Sequence, residues 1–166
     1  MSTLIIISLA ILATYILTLV YKHGVPTSLS DTYYVLEHKK KGSGRIFVLI
    51  MFCTTMLLIG PMIELTPENW KFIAFLAVIG LGFVGAAPMF LEKSTSKVHY
   101  IAASVSAIGG LAWIFVAAPH CWPIIPATIA LTLIAATYTK SLKCYVFWAE
   151  MAVFSSVYSA ALIVAL

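Results

Sequence analysis

The sequence predicts an all-α polytopic membrane protein: a bundle of six transmembrane helices with a short extra helix in the first connection. Three observations predict it. Of 166 residues, 62% are hydrophobic and only 10% charged, and the mean hydropathy is +1.04; a soluble domain carries about 25% charged residues. Six apolar segments approach the roughly 20 residues needed to cross a bilayer. The short gaps between them collect nearly all the basic residues. An ordinary water-soluble fold and a disordered chain are both excluded. The net charge of +4 is scattered over those gaps and forms no basic stripe, so a nucleic-acid partner is not expected.

The first span, Leu4–Tyr21, has no basic residue before it and outruns a signal-peptide core of about 7–15 residues. It is expected to be a retained helix. The connection that follows contains Ser28-Leu-Ser-Asp31. Ser28 and Asp31 stand at capping-box spacing, so a short helix is expected from about Leu29 to His38, stopped by Gly42-Ser43-Gly44. The second span is Ile46–Ile63. The third, Phe72–Leu91, should be disturbed near its end by Pro88. The fourth is Val98–Ala118. The fifth, Trp122–Tyr138, opens on Pro123 and Pro126, which suit a first helical turn. The sixth is Cys144–Leu166. Residues 1–166 form one helical membrane domain.

Lys22, Lys39, Lys40, Lys41, Arg45, Lys93, Lys97, Lys140 and Lys143 fall on one side of this topology, and Lys71 alone on the other. The positive-inside rule makes the populated side cytoplasmic. The protein is then expected in the cell (inner) membrane with both termini outside. Gly82 and Ala86, and Ala102, Ser106 and Gly110, repeat at four-residue spacing. Small residues so placed let helices approach in lipid, where no hydrophobic effect holds them together. Packing inside the bundle is the main expectation and a homo-oligomer face the lesser one.

Chemistry has little material to work with. Glu150 stands inside the sixth span, and a carboxyl group there should face the bundle or water and find a partner. His99 opens the fourth span and is the first-choice partner, since it can donate to a carboxylate. Asp31, with its neighbours Ser30 and Tyr34, and Glu92, at the end of the third span, map to the same level. Ser30, Asp31, Tyr34, Glu92, His99 and Glu150 are the candidate ligand-binding residues. Glu64, Glu68, Lys71 and His120 are expected to form a solvated rim on the other side. No zinc-protease motif, Cys-x-x-Cys, phosphate loop or nucleophile elbow occurs. A zinc site from Asp31, His99 and Glu150 is a minor alternative. No cofactor and no resident metal are expected.

The Ser28-Leu-Ser-Asp31 string after a first span and Gly-Val-Pro resembles the Ser-x-Ser motif of the six-helix membrane family called "domain of unknown function 998". It also resembles a segment of the related DRAM/Sfk-type membrane proteins. Val84-Gly-Ala-Ala-Pro88 followed by His99-Tyr-Ile-Ala is similar to the end of that family's third helix and the start of its fourth. The likeness covers residues 20–110. It implies a six-helix fold, a lipid-associated or unassigned membrane role without a known reaction, and a bacterial or phage-borne source. A non-enzymatic protein that accommodates a lipid or other amphiphile near the cytoplasmic leaflet is therefore the leading expectation. A small transporter or oligomeric channel with Glu150 and His99 on an ion or proton path is the first alternative, and a membrane hydrolase the second.

Overall fold

The structure, a computed structural model, describes residues 1–88 and 91–166, with every side chain among them except that of Ser94. Its described residues are helical or connecting. The long helices are α1 (Ser2–His23), α3 (Arg45–Glu64), α4 (Lys71–Ala86), α5 (Lys93–Ala117), α6 (Ile124–Tyr138) and α7 (Tyr145–Ala165); α2 (Thr32–Lys39) is the short one. Single 3-10 turns precede α4, α6 and α7. With those turns included, six helices are long and apolar enough to cross a membrane. They also expose large apolar side chains such as Leu17, Leu49, Ile101, Ile108, Leu131 and Ile134. A water-soluble surface rarely carries apolar patches on that scale.

Local chemistry accounts for the helix ends. Lys22 and His23 close α1, where cations suit the carbonyl end of the helix dipole. Gly24 then turns the chain at φ 79, a left-handed value that a side chain would oppose. Pro123 caps α6 and Pro126 lies in its first turn, where backbone N–H groups have no helical acceptor to lose. The third span is shorter than expected. It ends at Ala86, because Ala87 precedes Pro88 and is pushed out of the helical region to φ −116, ψ 58. Of the stretch expected to continue it to Leu91, Met89 and Phe90 lie outside the described residues. The next helix begins at Lys93, earlier than the expected Val98.

Five helices close a ring in the order α1, α3, α4, α5, α7 and back to α1, while α6 packs chiefly on α7. Small residues set the closest approaches. A Cβ on Gly80 would lie 2.9 Å from the Ala102 carbonyl oxygen, and one on Gly109 would lie 3.2 Å from Ala77 Cα. Ala102 and Ser106 thus pack against α4, and Gly110 faces Val157 of α7. The small-residue pattern serves internal packing, with Gly80 its tightest point between α4 and α5.

One core fills the ring. It runs from Ile5, Met62 and Trp113 at one end to Phe47, Met51 and Val84 at the other, all buried. Midway, the Tyr158 hydroxyl meets Ser8 Oγ at 2.6 Å and Ser8 donates to the Thr54 carbonyl. Hydroxyls inside an apolar bundle need such partners.

Candidate functional site

Residues 24–44 fold over the end of the bundle that carries the basic residues. Ser28 Oγ accepts from the Asp31 amide at 3.1 Å, which is half of a capping box. The other half is absent: Asp31 Oδ2 accepts from Thr27 Oγ1 at 3.0 Å. The chain therefore makes a tight turn over residues 29–31, with Thr32 N–H on the Leu29 carbonyl. The helix starts at Thr32 rather than Leu29. Thr32 Oγ1 in turn lies 2.7 Å from the Tyr15 hydroxyl of α1, which anchors the turn to the ring.

The turn is joined to α7 by two of its backbone groups. The Thr27 carbonyl accepts from the Phe147 amide at 3.1 Å. Phe147 lies in the first turn of α7, where amides have no helical acceptor. One helical turn further on, Glu150 Oε2 accepts from the Leu29 amide at 2.6 Å. Residues 147 and 150 share a face of the helix, so one face receives both ends of the segment Thr27–Leu29. Cys144 Sγ adds a weak contact to the Val25 carbonyl at 3.5 Å.

Beneath this turn lies a cavity of about 270 Å³ bounded by α3, α4, α5 and α7. Its floor is apolar, with Met51, Leu81, Val84 and Phe154. Its polar edge is Glu150, Ser30, Ser104 and Ser106. Ser106 spends its hydroxyl on the Ala77 carbonyl at 2.8 Å. Ser30 is only 3% exposed, and its hydroxyl bonds no other described residue. Ser104, Val146 and Ala149 are exposed, so the mouth opens between α5 and α7 on the flank of the bundle. A second hollow, about 340 Å³ and bounded by α6 and α7, shares Ala149 and Val153 with the first. Glu150 thus gives one oxygen to the protein backbone and holds an acceptor at the edge of an apolar space.

Of the six residues singled out in the sequence, only Ser30 and Glu150 meet in this cavity. The expected Glu150–His99 pair does not form. Its reason is the break at Pro88. Ending α4 there deprives the Ala87 carbonyl and the Leu91 amide of each other as helical partners. His99 Nδ1 donates to the Ala87 carbonyl at 2.8 Å, and the Tyr34 hydroxyl accepts from the Leu91 amide at 3.0 Å. His99 and Tyr34 therefore close the broken helix. Asp31 stabilises its own turn. Glu92 is exposed and stands just before α5, where its carbonyl accepts from the Thr95 and Ser96 amides. Among the described residues no three His, Cys, Asp or Glu side chains come together as a metal site.

Sequence reasoning missed three contributors. The Leu29 amide is a backbone group, which no residue letter reports. Ser104 looks like any small residue of a membrane helix. Glu37 takes the Gly42 amide at 2.8 Å and the Gly44 amide at 3.0 Å. Those two N–H groups, the Gly42 one first, hold its carboxyl below the usual carboxylate range. A glutamate five and seven residues before two glycines is the available signal.

At the opposite end, Glu64, Glu68 and His120 are exposed, and Glu68 pairs with Lys71 at 2.6 Å. Behind this rim, buried Trp113 donates from Nε1 to Thr66 Oγ1 at 2.7 Å, and Thr66 donates to the Met62 carbonyl. Comparison of the chain with protein-family models, with curated proteins and with solved structures returns no significant match.

Proposed function

We propose that this is a non-enzymatic integral membrane protein of the cell membrane that accommodates a lipid or other amphiphile near the cytoplasmic leaflet. The observation that carries the reading is the flank-opening cavity in which Glu150 and Ser30 stand above an apolar floor. Ligand pockets of about 300–1,000 Å³ enclose drug-sized molecules. A space of about 270 Å³ suits the head-proximal part of a chain whose remainder lies in the membrane. A head group that donates hydrogen bonds, an ammonium or a hydroxyl, complements the free acceptor of Glu150. A proton path through His99 and Glu150 has less support, since each is bonded to the backbone of a different segment. Kinship with the "domain of unknown function 998" family belongs to the same proposal.

Native mass spectrometry of the purified chain tests it. Retained amphiphile is expected in the wild type and much less in Glu150→Leu. Only loosely held lipid, equal in both, would overturn the reading. The orientation has its own test. In a background without Cys53, Cys121 and Cys144, cysteines at Lys40 and Lys143 should be shielded from an impermeant outside thiol reagent, and one at Glu68 should react. The reverse pattern moves the cavity to the outer leaflet.

A further inference from the structure

Another hollow, on the membrane-facing surface, has the opposite chemistry. It is a groove of about 700 Å³ along the outside of the bundle, between α1 and α3. Ile46 and Ile50 form its wall on α3, and Tyr15 and Leu19 its floor on α1. At its loop end stand Lys22 and His23, with Leu36 of α2 across from them. The Lys40 amide is bonded to the Leu36 carbonyl at 3.2 Å, so the run Lys39-Lys40-Lys41 begins at the groove's edge. All three lysines and Lys22 are exposed.

Two hydroxyls inside the groove are unbonded among the described residues, as Thr54 Oγ1 is in the core, whereas several other threonines bond their own helix. Thr55, Thr132, Thr137 and Thr139 each bond the carbonyl four residues back, and so satisfy themselves within their own helix. Thr14 and Thr18 line the groove, are exposed, and bond no other described residue. A hydroxyl turned toward hydrocarbon without a partner is costly. The order along α1 is cation, hydroxyl, hydroxyl, apolar: Lys22, Thr18, Thr14, then Ile11 and Ile7. Successive members are one helical turn apart and share a face. At 1.5 Å per residue, Ile11 to Lys22 spans about 16 Å, close to the roughly 15 Å depth of one leaflet's hydrocarbon.

We propose that this groove binds an anionic phospholipid. Its phosphate sits at Lys22 and His23 within reach of the Lys39–Lys41 run, a glycerol ester accepts from Thr18, and one acyl chain lies past Thr14 along Ile11 and Ile7 between α1 and α3. Basic pockets between helices on the cytoplasmic side recognise anionic lipid heads in this way. The groove rests on the membrane reading but not on the Glu150 cavity: both touch α3, but they share no lining residue.

The test is native mass spectrometry of the full chain with phosphatidylglycerol or phosphatidylcholine of identical acyl chains. Wild type should retain phosphatidylglycerol at least about fivefold better, the weight of one basic residue near an anionic surface. Lys22→Gln with His23→Gln should abolish that preference, and so should filling the groove with Ala10→Phe. Lys140→Gln with Lys143→Gln, which removes charge elsewhere at the same end, should keep it. Equal retention of the two lipids would overturn the proposal. So would an equal loss of preference in the Lys140/Lys143 variant, which means diffuse charge attraction. A dimer dispersed by Ala10→Phe, with no lipid preference, would assign the groove to a second copy of the chain instead. Thermal unfolding of each variant in detergent shows that it is folded before it is scored.

Discussion

The two ends of the bundle solve the same problem differently. At the end opposite the loop, Trp113 fills the space between helices and its one polar atom reaches Thr66, which passes the bond on to Met62. There the Trp113 side chain of α5 meets the Thr66 side chain of the α3–α4 connection directly, and Trp113, Ile114 and Ala118 are fully buried. At the loop end, side chains instead satisfy backbone groups of distant segments: Glu150 takes the Leu29 amide, His99 the Ala87 carbonyl, Tyr34 the Leu91 amide. A cavity remains beneath them. The first end is a plug. The second is a cover over a space, held by a few bonds that can be broken one at a time.

Substitution at each end sharpens that contrast. Trp113→Ala should be the most damaging, at about 3–5 kcal/mol, because it removes a buried aromatic together with its hydrogen bond to Thr66. Denaturant or thermal unfolding in detergent measures it; a loss below that of the Glu150 variants would mean the plug is not the stronger end. Glu150→Leu should cost about 1–3 kcal/mol by leaving the buried Leu29 amide without an acceptor. Glu150→Gln keeps an oxygen for that amide and should cost less than about 1 kcal/mol. Equal effects of Gln and Leu would show that the carboxyl does not hold the cover down.

The smallest effect is expected at Glu37, whose carboxylate is exposed to water. The Gly42 and Gly44 amides hold its acidity below the usual carboxylate range. A depressed value means the bonded turn is favoured at neutral pH, and the gain disappears as pH falls through the folded-state value. Amide exchange at Gly42 and Gly44 should quicken at acid pH, beyond its intrinsic dependence, and Glu37→Gln should weaken that extra response. No change in either would leave the turn to Gly42's positive φ and the Ser43 bonds alone.

How much of the site was legible depends on which partner is a side chain. Glu150 stood out because a carboxyl within an apolar run must be compensated. Its actual partner, an amide of a loop more than a hundred residues away, leaves no mark in the sequence. Pro88 was legible as a disturbance, but whether it kinks or ends a helix depends on what receives the freed groups. His99 and Tyr34 receive them, which removes both from the cavity they were expected to line. Ser30 reaches the cavity because the turn begins at Leu29 and delays the helix to Thr32.

Composition and spacing by themselves determined the helix count, the approximate spans and the gathering of basic residues at one end. These follow from local rules: a run of about 20 apolar residues has one low-cost conformation in lipid, and proline and glycine bound it. Only the tertiary structure decided that α6 stands outside a five-helix ring, that Gly80 is where α4 and α5 come closest, and that a carboxylate edges one hollow while lysine and histidine edge another. Apolar helices are alike to one another at the level of sequence pattern. Which faces meet is set by the shapes of small side chains and by the few polar groups that must find each other across the bundle.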